Sequence, residues 1–242
     1  MNKLLCILLA LSVTTLASAQ WPWSKIDGNG NKVKQTRSVG RYTAVASSGF
    51  WDVMIAYGES NSIEIEGDEN LLEYIETKVE GNTLSIDSKK HFNLRSKNRI
   101  VVYVTLTRMT GVSLSGSGDI IGKGKFRNDG TTTFHVSGSG SIKIDLDKVD
   151  AAEVGISGSG GIRLTGSASS VDARISGSGN IDCSDLISDN ATARVSGSGN
   201  IKLNANKSLE ASIAGSGNVS YKGIASDVRK HISGSGRVSR LG

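Results

Sequence analysis

Cysteine is nearly absent from this chain of 242 residues. Only two are present, Cys6 in an apolar N-terminal run and Cys183 far downstream. Because Cys6 lies in a segment with the features of an export signal, Cys183 is expected to be the one cysteine of the mature protein. A single cysteine cannot form an intramolecular disulfide or a cysteine-rich metal site. We therefore expect stability to come from packing alone.

Proline and aromatic residues are also scarce. The chain has one proline, 5% aromatic residues and 30 glycines. Such a composition is typical of low-complexity chains that do not fold. Here, however, apolar residues recur at regular intervals, which favours a folded protein with its glycines at turns.

Long hydrophobic runs are missing, apart from one at the N terminus. Residues 4–16 are mostly apolar, Lys3 precedes them, and Ala17-Ser18-Ala19 forms a small-residue cleavage site before Gln20. This arrangement predicts a signal peptide over residues 1–19 and export to the periplasm, the cell surface or the exterior. The run is shorter than the ~20 residues that span a bilayer, so we expect no transmembrane segment.

The charge excess is modest. The formal net charge is +5 and the isoelectric point is about 9.2. In an exported protein a weakly basic balance favours anionic surfaces or glycans over nucleic acid as partners.

A four-residue repeat dominates the second half of the chain. Ser-Gly-Ser-Gly or, once, Ala-Gly-Ser-Gly occupies residues 115–118, 137–140, 157–160, 176–179, 196–199, 214–217 and 233–236. The spacing of 18 to 22 residues predicts a solenoid, in which each coil buries its apolar side against its neighbours.

Apolar residues keep fixed positions relative to each tetrad. A large aliphatic stands directly before it, at Leu114, Val136, Ile156, Ile175, Val195, Ile213 and Ile232. Five residues after its first position stand Ile120, Ile142, Ile162, Ile181, Ile201, Val219 and Val238. Two further on come Ile144, Leu164, Cys183, Leu203 and Tyr221. The alternation predicts a strand on each side of the turn, then a variable return with Leu146, Leu186 or Ile224 facing inward.

The tetrads themselves are interpreted as turns. Glycine lets successive turns stack with no Cβ between them, and the serines could form hydroxyl ladders. Three asparagines that follow tetrads fit the same turn chemistry: Asn180, Asn200 and Asn218. Cys183 falls in an inward column and is interpreted as a small buried hydrophobe.

The N-terminal half is less regular. Alternating stretches at residues 42–46, 50–57, 62–66, 83–87 and 100–106 predict strands, and residues 68–75 predict a short helix. Residues 20–40 are expected to be a flexible leader. One domain is expected over residues 41–242, with irregular capping coils at 41–110 and regular repeats at 111–242.

The order of these elements resembles the DUF2807 family of auto-transporter adhesin head (head GIN) domains. The resemblance rests on Ser-Gly-Phe-Trp-Asp-Val at 48–53, the acidic stretch 68–75, the strand 100–106 and the tetrads. It implies a right-handed parallel β-helix and an adhesive role without catalytic residues. Unlike an auto-transporter, the sequence shows no run of membrane-barrel strands before Gly242.

Enzymatic and metal chemistry find little support in the sequence. Glu153 and Asp172 would be neighbours on adjacent coils, near the ~5 Å separation of a retaining glycosidase, but basic residues surround them. Only Asp119 supplies a carboxylate directly after a tetrad, too few for calcium. Residues 122–125 lack the frame of a phosphate loop. We expect no catalytic residue, cofactor or metal.

Three functions remain as hypotheses. The first is adhesion or binding of anionic glycans or host cell-surface components through outward basic columns made of Lys143, Arg163, Arg174, Arg194 and Lys202. The second is a periplasmic structural or assembly module that self-associates, although Lys230 and Arg240 in the last coil disfavour edge pairing. The third, a polysaccharide-acting enzyme, has only Glu153 and Asp172.

Overall fold

The computed structural model describes residues 24–241, so the expected signal peptide lies outside the described residues. One helix is present in this range, α1 (Glu69–Leu72). The strands are β1 (Ser24–Asp27), β2 (Lys32–Arg37), β3 (Ala44–Ser47), β4 (Asp52–Tyr57), β5 (Ser62–Asp68), β6 (Ile75–Glu80), β7 (Thr83–Ser88), β8 (Phe92–Arg95), β9 (Val101–Leu106), β10 (Gly111–Leu114), β11 (Asp119–Val136), β12 (Ser141–Ile156), β13 (Gly161–Gly177), β14 (Asn180–Gly197), β15 (Asn200–Gly215), β16 (Asn218–Lys222), β17 (Asp227–Gly234) and β18 (Arg237–Arg240).

The long strands β11 to β15 stack in parallel register and confirm the predicted solenoid, which has about 6 turns. Val136 pairs with Ile156, Ile156 with Ile175, and so on along the stack. The expected strand, turn, strand and separate return merge into one long strand per coil, because the return also pairs with the next coil. Register shifts, such as that between Leu146 and Val149, absorb the variation in coil length.

The predicted inward columns form the core. Their members from coil to coil are buried, including Cys183. The last coil departs from this pattern, since Ile232 is 42% exposed and Ile224 is 76% exposed. The inward placement predicted for Ile224 is therefore wrong. No further coil within the described residues covers this end, and Lys230 instead lies with its Nζ 5.9 Å from the centre of the Tyr221 ring.

The tetrads stack as the steric argument requires. A Cβ added to Gly138 would lie 2.1 Å from the carbonyl oxygen of Gly116, one coil below. Main-chain bonds join successive turns, as from the amide of Ser139 to Gly116 O at 3.2 Å. Within residues 24–241 no tetrad hydroxyl joins a hydrogen bond, so serine ladders do not form there. Asparagine does form a ladder, with Asn200 Nδ2 donating to Asn180 Oδ1 at 3.0 Å.

In the N-terminal cap, the order of the strands in the sheet differs from their order along the chain. Residues 48–51, between β3 and β4, form a degenerate turn that lacks the full tetrad sequence. This turn stacks under the first tetrad, where the amide of Ser115 donates to Ser47 O at 2.8 Å. β7 and β9, which come later in the chain, pair in parallel beneath β3 and β4. β5 and β6 run antiparallel to β9 and β7. The predicted helix is shorter than 68–75 because β6 begins at Ile75.

The flexible leader expected over residues 20–40 is corrected for residues 24–37. β1 pairs with β8 and β2 pairs with β5, so this segment belongs to the cap. Buried Asp68 secures it: its carboxylate accepts hydrogen bonds from the amides of Gly30 at 3.1 Å and Lys97 at 2.7 Å. The Gly-Asn run at residues 28–31 carries no local signal of this distant partner.

Within residues 24–241, no helix combines the length and the apolar composition needed to cross a membrane.

Candidate functional site

The strand before each tetrad presents alternate side chains to solvent, and parallel pairing piles them into outward columns. One column, two residues before the tetrad, contains His135, Gly155, Arg174, Arg194 and Ser212. A second column, four residues before the tetrad, contains Thr133, Glu153, Asp172, Thr192 and Glu210.

These two columns border a cleft of about 590 Å³, which we call the charged cleft. Gly155 interrupts its column of larger side chains. The His135 ring leans over the position left free, because a Cβ on Gly155 would lie 2.8 Å from His135 Nδ1. The polar residues that line the charged cleft are Thr133, His135, Glu153, Asp172, Arg174, Arg194 and the serines at 157, 176, 196 and 212.

Asp172 organises the arginines of the charged cleft. Arg174 Nη2 lies 2.6 Å from Asp172 Oδ2, and Arg174 Nε lies 3.1 Å from Oδ1. From the next coil, Arg194 Nη1 lies 3.3 Å from both oxygens. The two guanidinium groups are thus held side by side, and each keeps further N–H donors for a ligand.

Glu153 differs from its register partner Asp172. Within residues 24–241 its carboxylate forms no hydrogen bond or ion pair, and the residue is exposed. The charged cleft therefore contains the unpaired carboxylate of Glu153 beside two arginines that both contact the carboxylate of Asp172.

The other predicted basic residues lie after the tetrad, on a different strand face from the charged cleft. They are Lys143, Arg163 and Lys202. Arg163 is engaged by carboxylates, at 3.0 Å from Asp182 and 2.8 Å from Asp185. The structure therefore unites Arg174 and Arg194 but does not place all five predicted residues on one surface.

Asp182 is strongly held on that second face. Burial opposes its ionisation, but hydrogen bonds from the Ser184 hydroxyl at 2.7 Å and amide at 3.2 Å, with Arg163 and Lys202 nearby, lower the pKa of this carboxyl. Arg163 is consequently partly neutralised where a ligand would approach.

Catalysis by Glu153 and Asp172 gains nothing from this geometry. They are neighbours on adjacent coils as predicted, but both Arg174 and Arg194 engage Asp172, so its carboxylate is not free for proton transfer. Over residues 24–241 no group of three or more His, Cys, Asp or Glu side chains is arranged to hold a metal ion. The charged cleft can supply hydrogen bonds and charge to a ligand.

A family model described as "Putative auto-transporter adhesin, head GIN domain" (DUF2807) matches residues 41–225. The chain belongs to the DUF2807 family. A comparison with curated proteins finds no match.

Solved structures show the same fold as this DUF2807 chain. A "putative adhesin" from Bacteroides fragilis has 21% identity and a TM-score of 0.84, covering 89% of this chain and 100% of its own. A "putative lipid binding protein" from Parabacteroides distasonis has 25% identity and a TM-score of 0.74, covering 90% and 100%. A "putative adhesin" from Parabacteroides merdae has 24% identity and a TM-score of 0.72, with the same coverage.

The thiol of Cys183 in this DUF2807 solenoid is unreactive because it is buried. Cys183 is completely buried in the core, which confirms its interpretation as a hydrophobe. Burial, with a smaller contribution from the charge of Asp182, raises the pKa of Cys183 to about 12. The reactive thiolate is therefore negligible at neutral pH.

Sequence reasoning missed two surface features of this DUF2807 chain. The break at Gly155 in the outward column was visible in the aligned coils, but its meaning depended on the direction of the His135 ring. The second feature is Phe50, an exposed aromatic at the third position of the degenerate first turn, where later coils have serine. The presence of phenylalanine where the later tetrads have serine could have been recognised from the sequence.

Proposed function

We propose that this chain is an exported, non-catalytic β-solenoid protein that binds surface components, and that the charged cleft takes anionic glycans. The proposal rests chiefly on one observation, the fixed pair of guanidinium groups of Arg174 and Arg194 on adjacent coils. Membership in a family described as adhesin heads supports the broader role.

The arginine pair suits carboxylate or sulfate groups on a linear polymer. Adjacent parallel strands are about 4.8 Å apart, so Arg174 and Arg194 present donors at the spacing of one strand. Asp172 limits their rotamer freedom before a ligand arrives, which reduces the entropy lost on binding. Arginine can bind a carboxylate or a tetrahedral oxyanion through two parallel N–H···O bonds, a geometry that the lysine ammonium does not offer.

Glu153 adds selectivity to the charged cleft. Its free carboxylate repels a second anionic group placed beside it and accepts hydrogen bonds from sugar hydroxyls. A polymer with spaced charges and intervening hydroxyls fits this pattern better than a dense polyanion.

Lipid binding inside the solenoid is disfavoured by the filled core. Val136, Ile156 and Ile175 are each at most 2% exposed, and their columns continue through the stack. We therefore do not assign lipid binding to the interior of this solenoid.

The test is binding of polygalacturonate, heparin and neutral dextran to immobilised protein at about 0.02 M and about 0.15 M salt. We expect both anionic polymers to bind, polygalacturonate more tightly than the densely sulfated heparin, and we expect the higher salt concentration to weaken the binding of both. Replacing both arginines by glutamine (R174Q with R194Q) should weaken binding about tenfold or more, since each charge-assisted bond contributes about 1.5–3 kcal/mol.

Arg229→Gln is the matched control. Arg229 forms the same forked pair with Asp227 two residues earlier, at 3.3 and 3.0 Å, but lies outside the charged cleft. Arg163→Gln tests the second basic face. Equal loss in R229Q, or loss in R163Q without loss in the double variant, would overturn the assignment.

A structural or assembly role in the envelope is the second candidate. The exposure of Ile224 and Ile232 in the last coil favours it, whereas exposed Lys230 beside them opposes close packing of copies. Sedimentation velocity over a hundredfold range of protein concentration tests the assembly role. A concentration-dependent oligomer would support assembly, and a constant monomer would reject it.

A further inference from the structure

A second cleft lies where the two-stranded sheet of β1 and β8 meets the first turn of the solenoid. Its volume is about 320 Å³, at the lower end of the range for small-ligand sites. We call it the aromatic cleft, and its informative lining residues are Phe50, Phe92, Ser48, Ser88, Asn93 and Ser117.

Phe50 has no evident structural role. It stands at the third position of the degenerate turn, level with Ser117 in the next coil, and its side chain is 41% exposed. The adjacent Trp51 does the structural work, since it is buried and its Nε1 donates to Ser47 Oγ at 3.0 Å. The Phe50 ring lies 5.6 Å from the Trp51 ring and presents apolar surface to solvent.

The opposite wall of the aromatic cleft is fixed. Phe92 packs on Tyr74 with ring centres 4.7 Å apart, and its strand β8 is paired with β1 through Ser24. Gly49 and Gly116 also line the cleft, and their turns stack so closely that a Cβ on Gly116 would lie 1.8 Å from Gly49 O. Tight stacking of these turns fixes the backbone between the two walls.

The chemistry of the lining is neutral and rich in hydroxyl groups. None of its lining residues is charged. Within residues 24–241 the hydroxyls of Ser48, Ser88 and Ser117 and the side-chain amide of Asn93 form no hydrogen bond. A purely apolar ligand would bury these groups without partners, at a cost of about 1–3 kcal/mol each.

We propose that the aromatic cleft binds a sugar ring of a neutral oligosaccharide. The C–H face of the ring would pack on Phe50, whose negative π-face attracts polarised C–H groups. Sugar hydroxyls would bond to the serines and Asn93. This site is separate from the charged cleft, takes an uncharged ligand, and does not depend on the function proposed there.

The probes are maltotetraose, cellotetraose and tetra-N-acetylchitotetraose, measured by saturation-transfer difference NMR and by calorimetry on the intact chain. We expect at least one to bind the wild-type protein. Phe50→Ala should weaken it about tenfold or more, which corresponds to about 1.4 kcal/mol, and Phe50→Trp should retain it. Because Phe50 is exposed, its variants should keep the wild-type melting temperature.

Ile232→Ala is the matched control, because Ile232 is 42% exposed and lies at the other end of the solenoid. The R174Q and R194Q double variant should also bind the neutral probe normally, so failure of either proposed site is seen separately. The proposal is overturned if none of the three probes binds, if F50A binds as well as wild type, or if I232A loses binding equally.

Discussion

At the scale of single residues, tetrad glycines do steric work that no other residue can do. Gly197 has φ of +126° and a Cβ there would lie 2.4 Å from Gly177 O. Gly197→Ala should therefore destabilise the protein by about 1–3 kcal/mol, which is roughly 2–12 °C in melting temperature. Differential scanning calorimetry measures this directly.

Gly161→Ala is the control for that substitution. Gly161 directly follows a tetrad, and the nearest heavy atoms to its added Cβ are 3.8 Å away. Its melting temperature should stay within about 2 °C of wild type. Equal effects at the two glycines would show that stacking of turns does not limit the choice of residue.

Cys183 gives a second prediction at this scale. Because it is buried and its pKa is raised to about 12, a thiol reagent such as DTNB should react negligibly with the folded protein at pH 8. In guanidinium chloride the same thiol should react fully. Fast, complete labelling of the folded protein would place Cys183 outside the core.

At the scale of elements, Asp68 ties the N-terminal strands to the cap. Replacing Asp68 by asparagine places an N–H group opposite the backbone N–H donors of Lys97 and Asn98, so that donor faces donor. This loss of hydrogen bonds should destabilise the cap by about 1–3 kcal/mol. Hydrogen exchange followed by mass spectrometry should show faster exchange across residues 24–37. Unchanged exchange there would mean that strand pairing alone holds this segment.

The Asp68 contribution should depend on pH. Burial opposes its ionisation, but hydrogen bonds from Asn98, Lys97 and Gly30 lower the pKa of Asp68 below its ordinary value. The folded state therefore binds the proton less readily than the unfolded state, and the stabilisation is present above about pH 4 and is lost as the pH falls below it. The difference in melting temperature between wild type and D68N should shrink between pH 7 and pH 3.

Regular coils were predictable from sequence and the cap was not. A period near 20 residues and the alternation around each tetrad define strands β11 to β15, because every coil makes the same contacts with its neighbour. Pairing of β2 with β5 joins Lys32 to Asp68, and no local pattern encodes such a distant antiparallel contact. Ile224 was misassigned because its inward place required a covering coil.

At the scale of the whole molecule, the solenoid separates stability from binding. Backbone stacking and the apolar columns hold the fold, so outward side chains are free to vary. Arg174 and Arg194 both stand two residues before a tetrad, and the pairing of adjacent strands places them in one column. Their joint contact with Asp172, and the slot beside Phe50, depend on side-chain directions that residue spacing does not specify.

The most direct test of the account is an NMR titration of the labelled protein with hexagalacturonate, which carries spaced carboxylates with hydroxyls between them. We predict that the largest shift changes fall on the His135 ring and on the guanidinium Nε–H groups of Arg174 and Arg194, with little change at Arg163. The largest changes at Lys143, Arg163 and Lys202 instead, or no changes at all, would contradict the claim that the charged cleft is the binding site.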